Sequence, residues 1–394
     1  MITTENSPII QSAAVANSYG RPSLKFVSAD GIRLTDAEGK RWFDALCGIG
    51  VANLGHCNPQ VNDAIYKQMQ TLDHISNLYA SEAQNRAAEM LCNAANMEEV
   101  FFCNSGTEAN EAAIKLARIH GMNKRGSAGR IICFSGAFHG RSLGALSATA
   151  KEAIRAPFYP LLANIEHLSF GDINAVRAAL VSADEYDAIL LEPIQGEAGV
   201  ICPPNTFIPE LAALCAKHNL LLMVDEVQSG NGRTGKYFAF QHSGIQPDVV
   251  TTAKGLANGF PAGATLLGGK ATGLFTPGTH GSTYGGNPMA CAAIESVYSV
   301  LSEPGFLEGV TELSRHFQAQ LAKYLGSRLE RIDGLGLMLG LQLSDGIENL
   351  AQRMLDQGIL VNVINAERIR LLPPLIMTHE EATELAVAIG QALD

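Results

Sequence analysis

Between residues 99 and 252, short apolar runs alternate with segments whose apolar positions recur at helical spacing, which leaves few architectures open to the chain. The runs Glu99-Val-Phe-Phe-Cys103, Arg130-Ile-Ile-Cys-Phe134, Asp187-Ala-Ile-Leu-Leu191, Leu220 to Val224 and Asp248-Val-Val-Thr-Thr252 are continuous, as in strands buried on both faces. Between the first two, Ala109, Ala112, Ala113, Leu116 and Ala117 repeat at i, i+3, i+4, i+7 and i+8. Strands interleaved with helices predict an α/β fold, a mainly parallel sheet sandwiched by helices.

The flanks read differently. Ile32 to Phe43 holds two strand-like stretches around Asp36-Ala-Glu-Gly39, a hairpin signal. Helical segments are expected at 289–302 and 307–327, a strand at 336–343, and a last helix after Thr378. A chain of 394 residues exceeds one compact core. The expected division is a large domain over residues 48–287 and a smaller α+β domain built from both termini, 1–47 and 288–394.

Asp+Glu 39 against Lys+Arg 28 leaves a formal charge of −11, which opposes tight binding to nucleic acid or an anionic membrane. No apolar run reaches the roughly 20 residues a spanning helix needs, and the start lacks a basic segment followed by an apolar one. The expected location is cytoplasmic. The eight cysteines are scattered with no C-x-x-C pair, so buried free thiols are expected rather than disulfides or a metal site.

Chemistry concentrates at strand ends. The run 219–224 delivers Asp225 to the C-terminal end of one strand, and Lys254 follows the next strand, at the edge where open α/β sheets bind ligands. A lysine able to form a Schiff base and an acid able to keep a pyridine nitrogen protonated suit pyridoxal phosphate; two ordinary exposed charges are the other reading of the same pair. Asn104-Ser-Gly-Thr-Glu-Ala-Asn110 opens a helix directly after a strand. Its free N–H groups suit a phosphate, and its Ser and Thr equally suit plain helix capping.

Three further motifs follow strands or precede a helix: Gly136-Ala-Phe-His-Gly-Arg141, Glu192-Pro-Ile-Gln-Gly-Glu-Ala-Gly-Val200 and Gly281-Ser-Thr-Tyr-Gly-Gly-Asn-Pro288. Together with Asp225-Glu-Val-Gln228 and Lys254, and in order from about Tyr19 to Pro374, they resemble the class III, fold-type I, pyridoxal-phosphate-dependent aminotransferases. The resemblance implies Lys254 as the Schiff-base lysine and Asp225 as the partner of the ring nitrogen. Ser105, Gly106 and Thr107 correspond to the phosphate turn, Phe138 and Val227 to the two faces of the ring, and Gln228 to the amide near the ring hydroxyl. Thr283 corresponds to a threonine supplied by the neighbouring subunit, which implies a homodimer.

For the substrates, the resemblance implies that Arg141, assisted by Tyr19, grips the donor's α-carboxylate, so that the far amine reacts. Arg370 corresponds to the arginine that receives the α-carboxylate of 2-oxoglutarate, and Glu197 to the glutamate that neutralises it in the other half-reaction. An ion pair on the surface is the plainer reading of Arg141. Ile49 stands where ornithine-specific members carry tyrosine, which makes the chain more similar to bacterial members acting on acetylornithine. N-succinylornithine, succinyl-diaminopimelate, ornithine and 4-aminobutyrate remain rival donors. His139 is read as structural, since the lysine already supplies acid–base function. The glycines at 334, 336 and 340 lack dinucleotide-loop spacing and are read as sites of close backbone packing.

Overall fold

Residues 12, 14–20 and 22–394 are described by the computed structural model. The hairpin forms where expected: β1 (Phe26–Asp30), β2 (Arg33–Asp36) and β3 (Arg41–Asp44) run antiparallel, with Arg33 opposite Phe43. Asp36 ties the turn, accepting hydrogen bonds from the N–H groups of Glu38 and Lys40 and from the Trp42 indole.

The central sheet contains β4 (Glu99–Cys103), β5 (Arg130–Phe134), β6 (Ile165–Leu168), β7 (Tyr186–Leu191), β8 (Leu221–Asp225), β9 (Val249–Thr252) and β10 (Gly263–Leu267), in the order β4-β10-β9-β8-β7-β5-β6. The pairs β5–β6, β5–β7, β7–β8 and β8–β9 are parallel, while β10 is antiparallel to both neighbours. Alternate residues feed two separate cores. Ile132, Ile189, Leu222 and Val250 join one; Ile131, Leu190, Met223 and Val249 join the other. That two-sided burial is the reason the strand sequences read as unbroken apolar runs. The helix Gly106–Arg125 turns Ala113, Leu116 and Ala117 into the second core, and Phe207–His218 packs on the first.

At the C-terminal end, β11 (Leu329–Leu335), β12 (Met338–Leu343), β13 (Ile359–Leu360), β14 (Asn362–Asn365) and β15 (Arg368–Leu371) follow the helices Pro288–Leu301 and Phe306–Leu325. Four of them form the antiparallel sheet β11-β12-β15-β14; β13 instead pairs in parallel with β3. The last helix, His379–Leu393, begins with a reciprocal cap between Thr378 and Glu381. Arg233 is fully buried and fastens distant stretches together, donating to the carbonyls of Leu337 and Pro373 and to Asn53 Oδ1. The glycine-rich stretch is packed as read: a Cβ at Gly336 would lie 2.5 Å from the Arg233 carbonyl oxygen, and one at Gly340 would lie 2.5 Å from that of Gly199.

All eight cysteines are free, but the expectation of buried thiols holds for only five: Cys57 and Cys202 are exposed and Cys92 is half-buried. Cys57 lies in an irregular turn with φ 52°, and Cys202 likewise lies outside the strands and helices. Among the described residues no helix is long and apolar enough to cross a membrane.

Candidate active site

The C-terminal ends of β4, β5, β7, β8 and β9 converge on one cavity of about 370 Å³. Ser105, Gly106, Thr107, Phe138, Arg141, Glu197, Asp225, Val227, Gln228 and Lys254 line it, so most residues singled out from sequence meet at one place. Arg370 reaches it through hydrogen bonds to Glu197 and Gln228. Two do not arrive. Tyr19 is 82% exposed, and Thr283 is exposed; neither lines the cavity of the single chain.

Asp225 ends β8 and is 3% exposed. Its Oδ2 accepts from Asn110 Nδ2 and His139 Nδ1, each at 2.7 Å, and its Oδ1 accepts from the Val227 N–H at 3.0 Å. A buried carboxylate is tolerable only with such donors around it, and these fix its direction into the cavity. Asn110 is itself saturated, donating to the His139 carbonyl and accepting from Thr251. The acid is therefore clamped from the helix Gly106–Arg125, from β9 and from the turn after β5. His139 thus holds Asp225; among the described residues its other ring nitrogen, Nε2, is buried with no hydrogen-bond partner.

Lys254 follows β9 with φ 51°, a left-handed conformation that costs a non-glycine residue on the order of 1–2 kcal/mol. Such strain is held where the surroundings fix it, as at functional sites. Burial, outweighing the carboxylates of Glu197, Asp225 and Glu192, lowers the affinity of its amine for a proton. Glu192, at the end of β7, accepts from the N–H groups of Phe138 and Gly196 and so joins the Phe138 turn to the loop that carries Glu197. Burial raises its carboxyl well above the ordinary range, against the pull of His139.

At the opposite wall, Ser105 caps the helix Gly106–Arg125 by accepting from the Glu108 N–H, and the N–H groups of Gly106 and Thr107 open the helix. A Cβ on Gly106 would lie 2.6 Å from Val227 Cγ1, so the turn and the apolar wall meet only because this position is glycine. Thr107 Oγ1 accepts from the N–H groups of Arg141 and Ser142, setting the start of the next turn. The Arg141 guanidinium lies 5.6 Å from the centre of the Phe138 ring. These features fit the expected cofactor: an aromatic and a valine for the two faces of a ring, a directed carboxylate for its nitrogen, and a helix start for its phosphate.

Arg370, on β15, is 0% exposed; its Nη1 donates to Glu197 Oε1 at 2.6 Å and to Gln228 Oε1 at 3.1 Å, while among the described residues Nε and Nη2 have no hydrogen-bond partner. Burial opposes the charge on Glu197, yet the charge and hydrogen bond of Arg370 together with Lys254 and Gln228 hold its carboxyl below the ordinary range. Ile49 is not on the cavity wall, where Val51 stands instead; it takes φ 67°, unusual for a β-branched residue.

Comparison with known proteins agrees with this geometry. The family model described as aminotransferase class-III matches residues 14–393. The acetylornithine aminotransferase of Methanopyrus kandleri is 45% identical over 381 residues, covering 96% of each chain, and that of Nitrosomonas europaea is 41% identical over 378 residues, covering 95% of this chain and 96% of its own. Among solved structures, the ornithine aminotransferase of Toxoplasma gondii superposes with a TM-score of 0.91 at 28% identity over 96% of this chain and 92% of its own. The N-acetylornithine aminotransferase of Stenotrophomonas maltophilia gives 0.83 at 32% identity over 95% and 97%.

Proposed function

The chain belongs to the class III aminotransferases and works with pyridoxal phosphate, and from that premise we propose that it moves the terminal amino group of N2-acetylornithine to 2-oxoglutarate, giving N-acetylglutamate 5-semialdehyde and glutamate. The observation that carries this reading is the Arg370–Glu197–Gln228 cluster, a buried cation whose charge is balanced by a carboxylate at the cavity rim. One site must accept a donor with no carboxylate at its reacting end and then a dicarboxylate. A pair that closes for the first and opens for the second meets both demands, and the two Arg370 nitrogens left without a partner among the described residues supply donors for an incoming carboxylate.

Lys254, Asp225, Ser105, Gly106, Thr107, Phe138, Val227 and Gln228 would hold the cofactor. When bound, it supplies an electron sink for the pair of electrons left on the donor's terminal carbon. Asp225, directed by Asn110 and His139, would pair with the ring nitrogen. Lys254 Nζ would take the proton from the donor's terminal carbon and pass it on to the bound cofactor, a task helped by its lowered proton affinity. Arg141 holds the donor's α-carboxylate beside Phe138, so the far amine alone reaches the reacting end.

We further assign the enzyme to a cytoplasmic homodimer in which Thr283, exposed on the single chain, completes the partner's phosphate site and Tyr19 assists Arg141. The division at residues 48–287 for the cofactor-binding unit, with the smaller unit drawn from both termini, accords with the parallel pairing of β3 and β13. The test uses single substrates. Acetylornithine alone should convert the cofactor spectrum to its amine form and 2-oxoglutarate alone should reverse it; free ornithine or 4-aminobutyrate reacting faster than acetylornithine would replace this donor with that one.

A further inference from the structure

Beside the cofactor cavity lies a second chamber of about 340 Å³ that shares Phe138, Arg141 and Glu197 with it. Lys151 stands on its wall, between apolar surface from Ile154 and Ile364. The charges there are unbalanced. Glu197 is committed to Arg370 at 2.6 Å, whereas among the described residues neither the Arg141 guanidinium nor the Lys151 ammonium has an anionic partner; the Arg141 guanidinium lies 5.6 Å from the centre of the Phe138 ring. The chamber thus presents two cations and apolar walls with no anion left to satisfy them.

Resting on the donor reading above, we infer that this chamber receives the N-acyl substituent of the donor and that Lys151 favours substituents ending in a carboxylate. The donor's α-carbon bears both the carboxylate held by Arg141 and the acylated nitrogen, so a group on that nitrogen starts where Arg141 stands and extends into the space Arg141 shares. An acetyl group fills apolar volume and leaves Lys151 solvated. A four-carbon dicarboxylic monoacyl group brings a second carboxylate, so that two anions meet two cations, and the flexible lysine stem can follow it. Lys151 is exposed, so screening by water keeps the preference modest.

The experiment compares three donors on the cofactor-loaded enzyme in the single-substrate half-reaction: N2-acetyl-, N2-succinyl- and N2-succinamoyl-ornithine, the last matching succinyl in length without its charge. The wild type should favour succinyl over succinamoyl in kcat/KM by about five-fold, the effect of one partly solvated ion pair. Lys151→Met should bring that ratio to about one, Lys151→Arg should preserve it, and Lys151→Glu should invert it. No preference in the wild type, or a preference that survives Lys151→Met, overturns the assignment of Lys151. If none of the three donors converts the cofactor, the proposed function itself falls, and this inference with it.

Discussion

Replacing Glu197 by Gln keeps the side-chain volume and removes the charge that balances Arg370. Arg370 is 0% exposed, holds Glu197 at 2.6 Å and Gln228 at 3.1 Å, and has two other nitrogens without partners among the described residues. A hydrogen bond to a charged group contributes about 1.5–3 kcal/mol, and the 37% exposure of the Glu197 side chain places this one at the lower end. About 1.5 kcal/mol is roughly ten-fold in rate or affinity. In the donor half-reaction the uncompensated guanidinium repels the donor's terminal ammonium, so kcat/KM for acetylornithine should fall about ten-fold. In the acceptor half-reaction no pair has to open, so kcat/KM for 2-oxoglutarate should hold steady or rise by a similar factor. Stopped-flow absorbance of the cofactor in each half-reaction measures both. Equal losses in the two halves, or a loss confined to the acceptor, would refute the switch.

Asp225→Asn should lower kcat by about 10²-fold or more while changing cofactor affinity far less, as measured by steady-state rates beside an absorbance titration of the cofactor, because a neutral amide no longer holds the ring nitrogen charged. Gly106→Ala forces a Cβ to within 2.6 Å of Val227 Cγ1 and should weaken cofactor binding by at least about ten-fold in the same titration, with the unfolding midpoint of the cofactor-free protein changed much less. Glu226 is fully buried, with burial raising its carboxyl from 4.5 to about 7, so the folded state holds a proton that the unfolded chain releases. Stability should therefore decline as pH climbs from about 4.5 to about 7, by up to about 3 kcal/mol. Glu226→Gln can still accept from Phe240 and meet the Ser229 hydroxyl, and denaturant midpoints at pH 5 and pH 8 should show a smaller decline than in the wild type, with the part due to Glu192 remaining.

The sheet was legible because two-sided burial writes itself as unbroken apolar runs; β4, β5, β7, β8 and β9 fall within a residue of their expected bounds. β6 escaped notice for the converse reason. It lies at the sheet edge, each of its residues is half-buried, and Glu166 and His167 interrupt its apolar run. β10 reads Gly-Ala-Thr-Leu-Leu, too short a run to stand apart from the glycines around it. In the site, the residues given roles were those the family resemblance supplies, whereas Asn110 and Glu192, which stand in the same motifs and hold Asp225 and the Phe138 N–H, were not assigned roles. A signal existed for Asn110: it is a polar residue, 1% exposed, among the alanines of an inward helix face. Tyr19 and Thr283 are not among the residues lining the cavity of one chain, and their expected roles rest on the family resemblance alone.

The parallel pairing of Ile359 and Leu360 with Phe43 and Asp44 sets a schedule for biogenesis. At about 5–20 residues per second, a ribosome needs roughly 15–60 s to travel from the first of these partners to the second. Throughout that interval the emerging N-terminal ribbon carries an open, hydrogen-bond-hungry border, the kind of surface that nascent-chain chaperones shield and that crowded polysomes tend to stick together.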